Sequence, residues 1–143
     1  MRYVNDVASG SGGRDRAAAS LLLAGVTAFQ VSLAAGAPWG HLAWGGSHDG
    51  VLPTRLRVAS AGAAVLWGAV TVAVATQRPP SARAQTILLR GVCGVSVVGA
   101  ALNLASPSPA ERALWAPETA AVAVLTWRAA RALVSDASAG RAA

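Results

Sequence analysis

Four apolar stretches, each about 20 residues long, fill most of this 143-residue chain and are held apart by short polar or proline-rich joints. They cover residues 17–36, 58–76, 86–105 and 114–134. A helix rises about 1.5 Å per residue, so each stretch matches a hydrocarbon core about 30 Å thick. The second reads VASAGAAVLWGAVTVAVAT, with no charge and nothing more polar than Ser60, Thr71 and Thr76. A soluble domain would show an amphipathic period or a strand alternation, and this stretch shows neither. The pattern predicts an all-α fold, a membrane-spanning up-down-up-down four-helix bundle over residues 17–135. Flexible tails are expected over residues 1–16 and 136–143.

Composition agrees with a lipid-facing surface. Apolar residues make up 54% of the chain and charged residues only 13%, too few to cover a water-facing domain. The net charge of +6 comes from 12 arginines, with no lysine, against six carboxylates. These arginines gather at segment ends instead of forming one basic stripe, which argues against nucleic acid as a partner. Arginine to the exclusion of lysine, with abundant Ala, Gly and Val, points to a GC-rich bacterial genome. The single cysteine, Cys93, excludes an intrachain disulfide and a multi-cysteine zinc site, and reads as a small buried hydrophobe. Ala35-Gly36-Ala37 resembles a signal-peptidase site, but the preceding run is too long for a usual signal segment, so an uncleaved first span is expected.

Charge also predicts orientation. Arg2, Arg14, Arg16, Arg78, Arg83, Arg90, Arg128, Arg131 and Arg141 fall on one side, and Arg55, Arg57 and Arg112 on the other. Nine against three places both termini in the cytoplasm of a bacterial inner membrane. Trp39, Trp44 and Trp115 then gather at the outer interface, and Trp127 lies near the inner one. Small residues at every fourth position, Ala24, Ala28, Ser32 and Gly36 in span one and Ser60, Ala64 and Gly68 in span two, predict close helix packing. The short joint Gln77-Arg78-Pro79-Pro80-Ser81 predicts an antiparallel hairpin of spans two and three.

The chemistry-bearing residues fall in the two outer loops. Residues 37–57, APWGHLAWGGSHDGVLPTRLR, hold both histidines of the chain together with glycines, prolines and tryptophans. A loop that only connects would be shorter and more polar, so this one is expected to fold back on the bundle. Residues 103–118, NLASPSPAERALWAPE, carry Asn103, Glu111, Arg112 and Glu118, with Pro117 suited to a helix start. The two loops together define a candidate cluster, for ligand binding or for structure: His41, His48, Asp49, Arg55, Arg57, Asn103, Glu111, Arg112 and Glu118. Ion pairs of Glu111 or Glu118 with Arg55, Arg57 or Arg112 would fasten the loops, with Glu111 solvated beside Arg112. His41, His48 and an acid could be read as metal ligands, but the spacing matches no zinc motif, and no metal or other cofactor is expected. Glu118, about a turn inside span four, suits proton exchange or stabilisation of a helix N-terminus. Asn103 and Gln30 suit interhelical hydrogen bonds.

At these loops the chain resembles a group of uncharacterised bacterial four-span membrane proteins. The resemblance is carried by Ala37-Pro38-Trp39-Gly40, Gly45-Gly46-Ser47-His48, Leu52-Pro53 and Leu56-Arg57, then Asn103-Leu104-Ala105-Ser106, Glu111-Arg112 and Trp115-Ala116-Pro117. It implies the four-span fold and brings no activity.

Function is therefore left to three readings. The first is a small membrane protein that binds a partner or small ligand through its folded outer face. The second is a membrane-embedded enzyme acting on a lipid-like substrate, and the third is a small proton-coupled transporter. No Ser-His-Asp set, CxxC pair, phosphate loop or HExxH motif favours the enzyme, so no catalytic residue is assigned. The lipid bilayer is the expected partner, with a second copy or another membrane protein as the candidate protein partner.

Overall fold

The computed structural model describes residues 2–77 and 81–142. Among them are four long helices and no strand: α1 over Arg2–Ala35, α2 over Thr54–Ala75, α3 over Ala82–Leu104 and α4 over Pro109–Ala142. Two short 3-10 turns, Gly40–Leu42 and Trp44–Gly46, lie in the first loop. The fold is all-α. Residues 2–16 and 136–142, expected as flexible tails, continue α1 and α4 as helix. Arg78, Pro79 and Pro80 of the expected joint lie outside the described residues.

Three helices are long and apolar enough to cross a membrane: Gly10–Ala35 within α1, and the whole of α2 and α3. α4 is not among them. Its apolar run is interrupted by Glu118, Arg128 and Arg131, and it opens on the charged Glu111-Arg112 pair. Large apolar side chains line the flanks of the three apolar helices. Leu21 and Val65 are each 75% exposed and Leu102 is 68% exposed, which suits lipid contact and would be a liability in water.

Helix starts follow local chemistry. Pro53 precedes α2, where its missing N–H costs nothing, and the Ser81 hydroxyl accepts from the Ala84 N–H at 3.3 Å to cap α3. α4 starts at Pro109, eight residues before Pro117, which sits in the helix interior instead of at its start. The reason is a better cap upstream. The Ser108 hydroxyl accepts from the Glu111 N–H at 3.2 Å, Pro109 takes the first helical position, and the Ala-Glu-Arg-Ala-Leu run propagates well.

The helices pack in the spatial order α2, α1, α4, α3. α1 lies against both α2 and α4, and α4 lies against α3. Each packed pair is antiparallel. Gly12 faces Ala132 while Trp115 reaches Leu42, Thr27 meets Thr71, and Gly99 meets Thr119. α2 and α3 run antiparallel, as expected of a hairpin, but they touch only weakly. They converge near their joint, where Gln85 Nε2 donates to the Gln77 carbonyl at 2.8 Å and Val74 and Leu89 share one core with Leu23 and Val122. Towards the other end they leave a space that α1 and α4 do not fill.

The small-residue face of span two lies in the packing. Ser60 is fully buried, Ala64 is buried, and Gly68 lies opposite Thr27. The face expected on span one is not a packing face as a whole, because Ala24 and Ala28 are exposed. α1 instead buries Ala19, Leu23 and Leu33. An ion pair also joins Asp15 to Arg128 at 3.0 Å, fastening α1 to α4 near the termini.

Candidate functional site

The first and third loops meet at the end of the bundle away from the termini. A second apolar cluster, Leu33, Ala43 and Leu52 with Phe29 and Leu56, anchors the first loop on α1 and α2. Three hydrogen bonds then join the loops. Trp115 Nε1 donates to the Leu42 carbonyl at 2.7 Å, the Ser108 hydroxyl donates to the His41 carbonyl at 3.1 Å, and the Gly45 N–H donates to Glu111 Oε1 at 3.3 Å. The ring of Trp115 also packs against Phe29 of α1, with centroids 4.6 Å apart, and Trp39 stacks on the same Phe29 at 6.0 Å.

The joint is made differently from the expected ion pairs. Among the described residues no salt bridge links the two loops. Glu111 is buried at 7% exposure, not solvated, and its second oxygen accepts from the Ser106 hydroxyl. A backbone N–H in a left-handed turn and a neighbouring hydroxyl satisfy its charge, helped by the positive end of α4. Arg112 turns to the Ser106 carbonyl at 2.5 Å. Arg57 donates to the Ala34 carbonyl at 3.0 Å, so it satisfies an orphan carbonyl and the negative end of α1. His41 contributes its carbonyl, and the His48 ring pairs with the adjacent Ser47 hydroxyl at 3.0 Å. Asp49 and Arg55 are exposed. Among the described residues, no three His, Cys, Asp or Glu side chains converge as a metal site would need.

Beneath the joined loops lies a cavity of about 700 Å³. All four helices line it: Leu23, Val26, Phe29 and Gln30 from α1, Trp67 from α2, Ser96, Gly99 and Asn103 from α3, and Trp115, Glu118 and Val122 from α4. Ala43, Trp44 and Gly45 of the first loop line it as well. Its size is that of a small-molecule site, as is its character, apolar and aromatic walls with a few polar groups. Trp44 is held at a φ of 56°, an uncommon angle for a bulky residue, while its indole Nε1 donates to Ser60 at 3.1 Å. Strained residues of this kind concentrate at functional sites.

Of the nine residues proposed from sequence, Asn103, Glu111 and Glu118 line the cavity, and the other six lie at the joint or outside it. Glu118 differs from Glu111 in its surroundings. Both oxygens of Glu118, and Oε1 of Gln30, are buried without a hydrogen-bond partner among the described residues. The interhelical hydrogen bond expected for Gln30 is therefore not made by its carbonyl oxygen. Sequence reasoning missed Trp44, Trp67, Ser106 and Ser108 as members of the site. The Ser108-Pro109-Ala110-Glu111 capping pattern was a legible signal for the last of these.

No protein-family model matches the chain, and no curated protein or solved structure does so either.

Proposed function

We propose that this is a small multi-pass membrane protein that binds a small, largely apolar ligand in the cavity beneath its folded outer face. All four helices cross the bilayer in up-and-down order in this reading, with both termini in the bacterial cytoplasm, as the nine-to-three arginine split favours. α4 crosses despite its polar residues. It is packed between α1 and α3, two helices apolar enough to span, and its Glu118 lines the cavity with both carboxylate oxygens buried. The observation that carries the ligand reading is the cavity itself, whose size and apolar, aromatic lining suit a small molecule. A proton-coupled transporter is the second reading, favoured by the placement of Glu118 in that cavity.

Tryptophan fluorescence tests the ligand reading, because Trp44, Trp67 and Trp115 all line the cavity. With the protein in lipid nanodiscs, the neutral quencher 1-nitronaphthalene is expected to quench with a saturable component above the linear background of bilayer partition. Val26→Phe, which adds a ring to the cavity wall, should remove that component while leaving the linear one. Purely linear quenching, equal in the two proteins, would contradict a ligand site here.

A further inference from the structure

We propose that the ligand of this cavity is a lipophilic cation, held beside Glu118 and among the aromatic side chains that line the wall. The inference rests on the ligand-binding reading above and adds the charge of the ligand to it.

Charge around the cavity is one-sided. Among the described residues, the charged side chains lining the cavity are Glu111 and Glu118, with no arginine or histidine. Glu111 is satisfied by the Gly45 N–H and the Ser106 hydroxyl. Glu118 has no such partner, and Gln30 adds a third buried oxygen that only accepts. A buried carboxylate is stable only when paired or neutralised, so Glu118 either carries a proton or takes a cation or strong donor, and a cation in the cavity would supply the missing partner.

The indole donors of Trp44 and Trp115 are also engaged away from a ligand, at Ser60 and at the Leu42 carbonyl. What these residues offer the cavity is aromatic surface without a free indole donor, with Phe29 and Trp67 beside them. The negative face of an aromatic ring attracts a cation, and more strongly where water is excluded. An anion of the same size would meet acidic side chains and no free indole donor from Trp44 or Trp115. The apolar remainder of the wall selects a cation with a hydrophobic body over a hydrated ion.

Tetraphenylphosphonium and tetraphenylborate, alike in shape and opposite in charge, test the proposal. Each is titrated by calorimetry into the full chain in phosphatidylcholine nanodiscs, with empty nanodiscs as the reference for partition. Saturable binding is expected for the phosphonium and not for the borate. Glu118→Gln should weaken phosphonium binding by about tenfold or more, as loss of a close charge partner does. Circular dichroism of the variant checks that its fold is retained. Equal binding of the two ions, or a folded Glu118→Gln protein that binds the phosphonium as well as the parent, would overturn the proposal. Should the variant not fold, the comparison of the two ions on the unaltered protein decides the matter. Saturation by neutral nitronaphthalene without saturation by the phosphonium would remove the cation and leave the ligand site. Absence of saturation with every probe would remove both.

Discussion

Trp115→Ala is expected to lower the stability of the protein in detergent by about 3–5 kcal/mol, the range for deleting a large packed aromatic. Three contributions are lost together. The ring packs on Phe29 at 4.6 Å and closes the cavity wall, and its N–H satisfies the Leu42 carbonyl at 2.7 Å. Trp115→Phe separates them in part, since it keeps a six-membered ring at the site but loses the N–H donor with part of the indole, which should cost about 1–3 kcal/mol. Denaturant titration followed by circular dichroism reads both values. Equal, small effects for the two variants would mean that the loop joint contributes little to holding α4 against α1.

Gly46→Ala should have a comparable effect for a different reason. Gly46 has a φ of +66°, and a Cβ there would lie 2.3 Å from Ser108 Cβ and 2.6 Å from Ser108 Oγ. The left-handed backbone costs alanine about 1–2 kcal/mol. The collision is the larger problem, because Ser108 is fixed by its bond to His41 and by its capping of α4. Overpacking of that kind adds roughly 1–3 kcal/mol. Gly45→Ala is the matched control. Its φ is +82° and nothing lies within 4 Å of the Cβ position, so it carries the backbone cost alone. Melting temperatures in detergent should therefore fall in the order parent, Gly45→Ala, Gly46→Ala. Equal melting temperatures for the two variants would show that the first and third loops are not in contact in solution.

The difference between these two glycines illustrates what could be read from the sequence. The density of Trp, Gly and Pro in residues 37–57 predicted a loop folded back on the bundle, and it packs there through Leu33, Ala43 and Leu52. The partners across the joint could not be read in the same way. Ion pairs were expected because Glu and Arg are visible as letters, whereas the partner of Glu111 is the N–H of Gly45, whose availability depends on a left-handed turn. Helix extents exceed the apolar stretches for a related reason. An apolar stretch marks the part of a helix suited to lipid, and α1 and α4 run on through polar residues at both termini of the chain. That continuation also brought Asp15, placed in an expected tail, against Arg128.

Helix order was the least legible property. The short joint between α2 and α3 implies an antiparallel hairpin, and the two helices do run antiparallel, yet both lean on other helices and barely touch each other. In an alanine-rich chain, a four-residue stripe of small residues occurs on several faces by composition alone. Ser60, Ala64 and Gly68 mark a buried face of α2, whereas Ala24 and Ala28 mark an exposed one of α1. The cavity is a consequence of that order, so no local pattern announced it. Glu118 was singled out for its depth in the span, and its position on the cavity wall gives that depth a chemical setting.

The cavity site stands or falls with α4, which carries Trp115 and Glu118 and whose composition falls short of the apolar character of the other three helices. Cysteine labelling in intact bacterial cells addresses it directly. In a Cys93→Ser background, single cysteines replace Ser47 in the first loop, Ser81 at the α2–α3 joint, Pro107 in the third loop and Gly140 near the end of α4. A membrane-impermeant maleimide should label positions 47 and 107 in intact cells, and positions 81 and 140 only after lysis. Labelling of positions 107 and 140 from the same side of the membrane would show that α4 does not cross, and would contradict the four-span arrangement on which the cavity site is built.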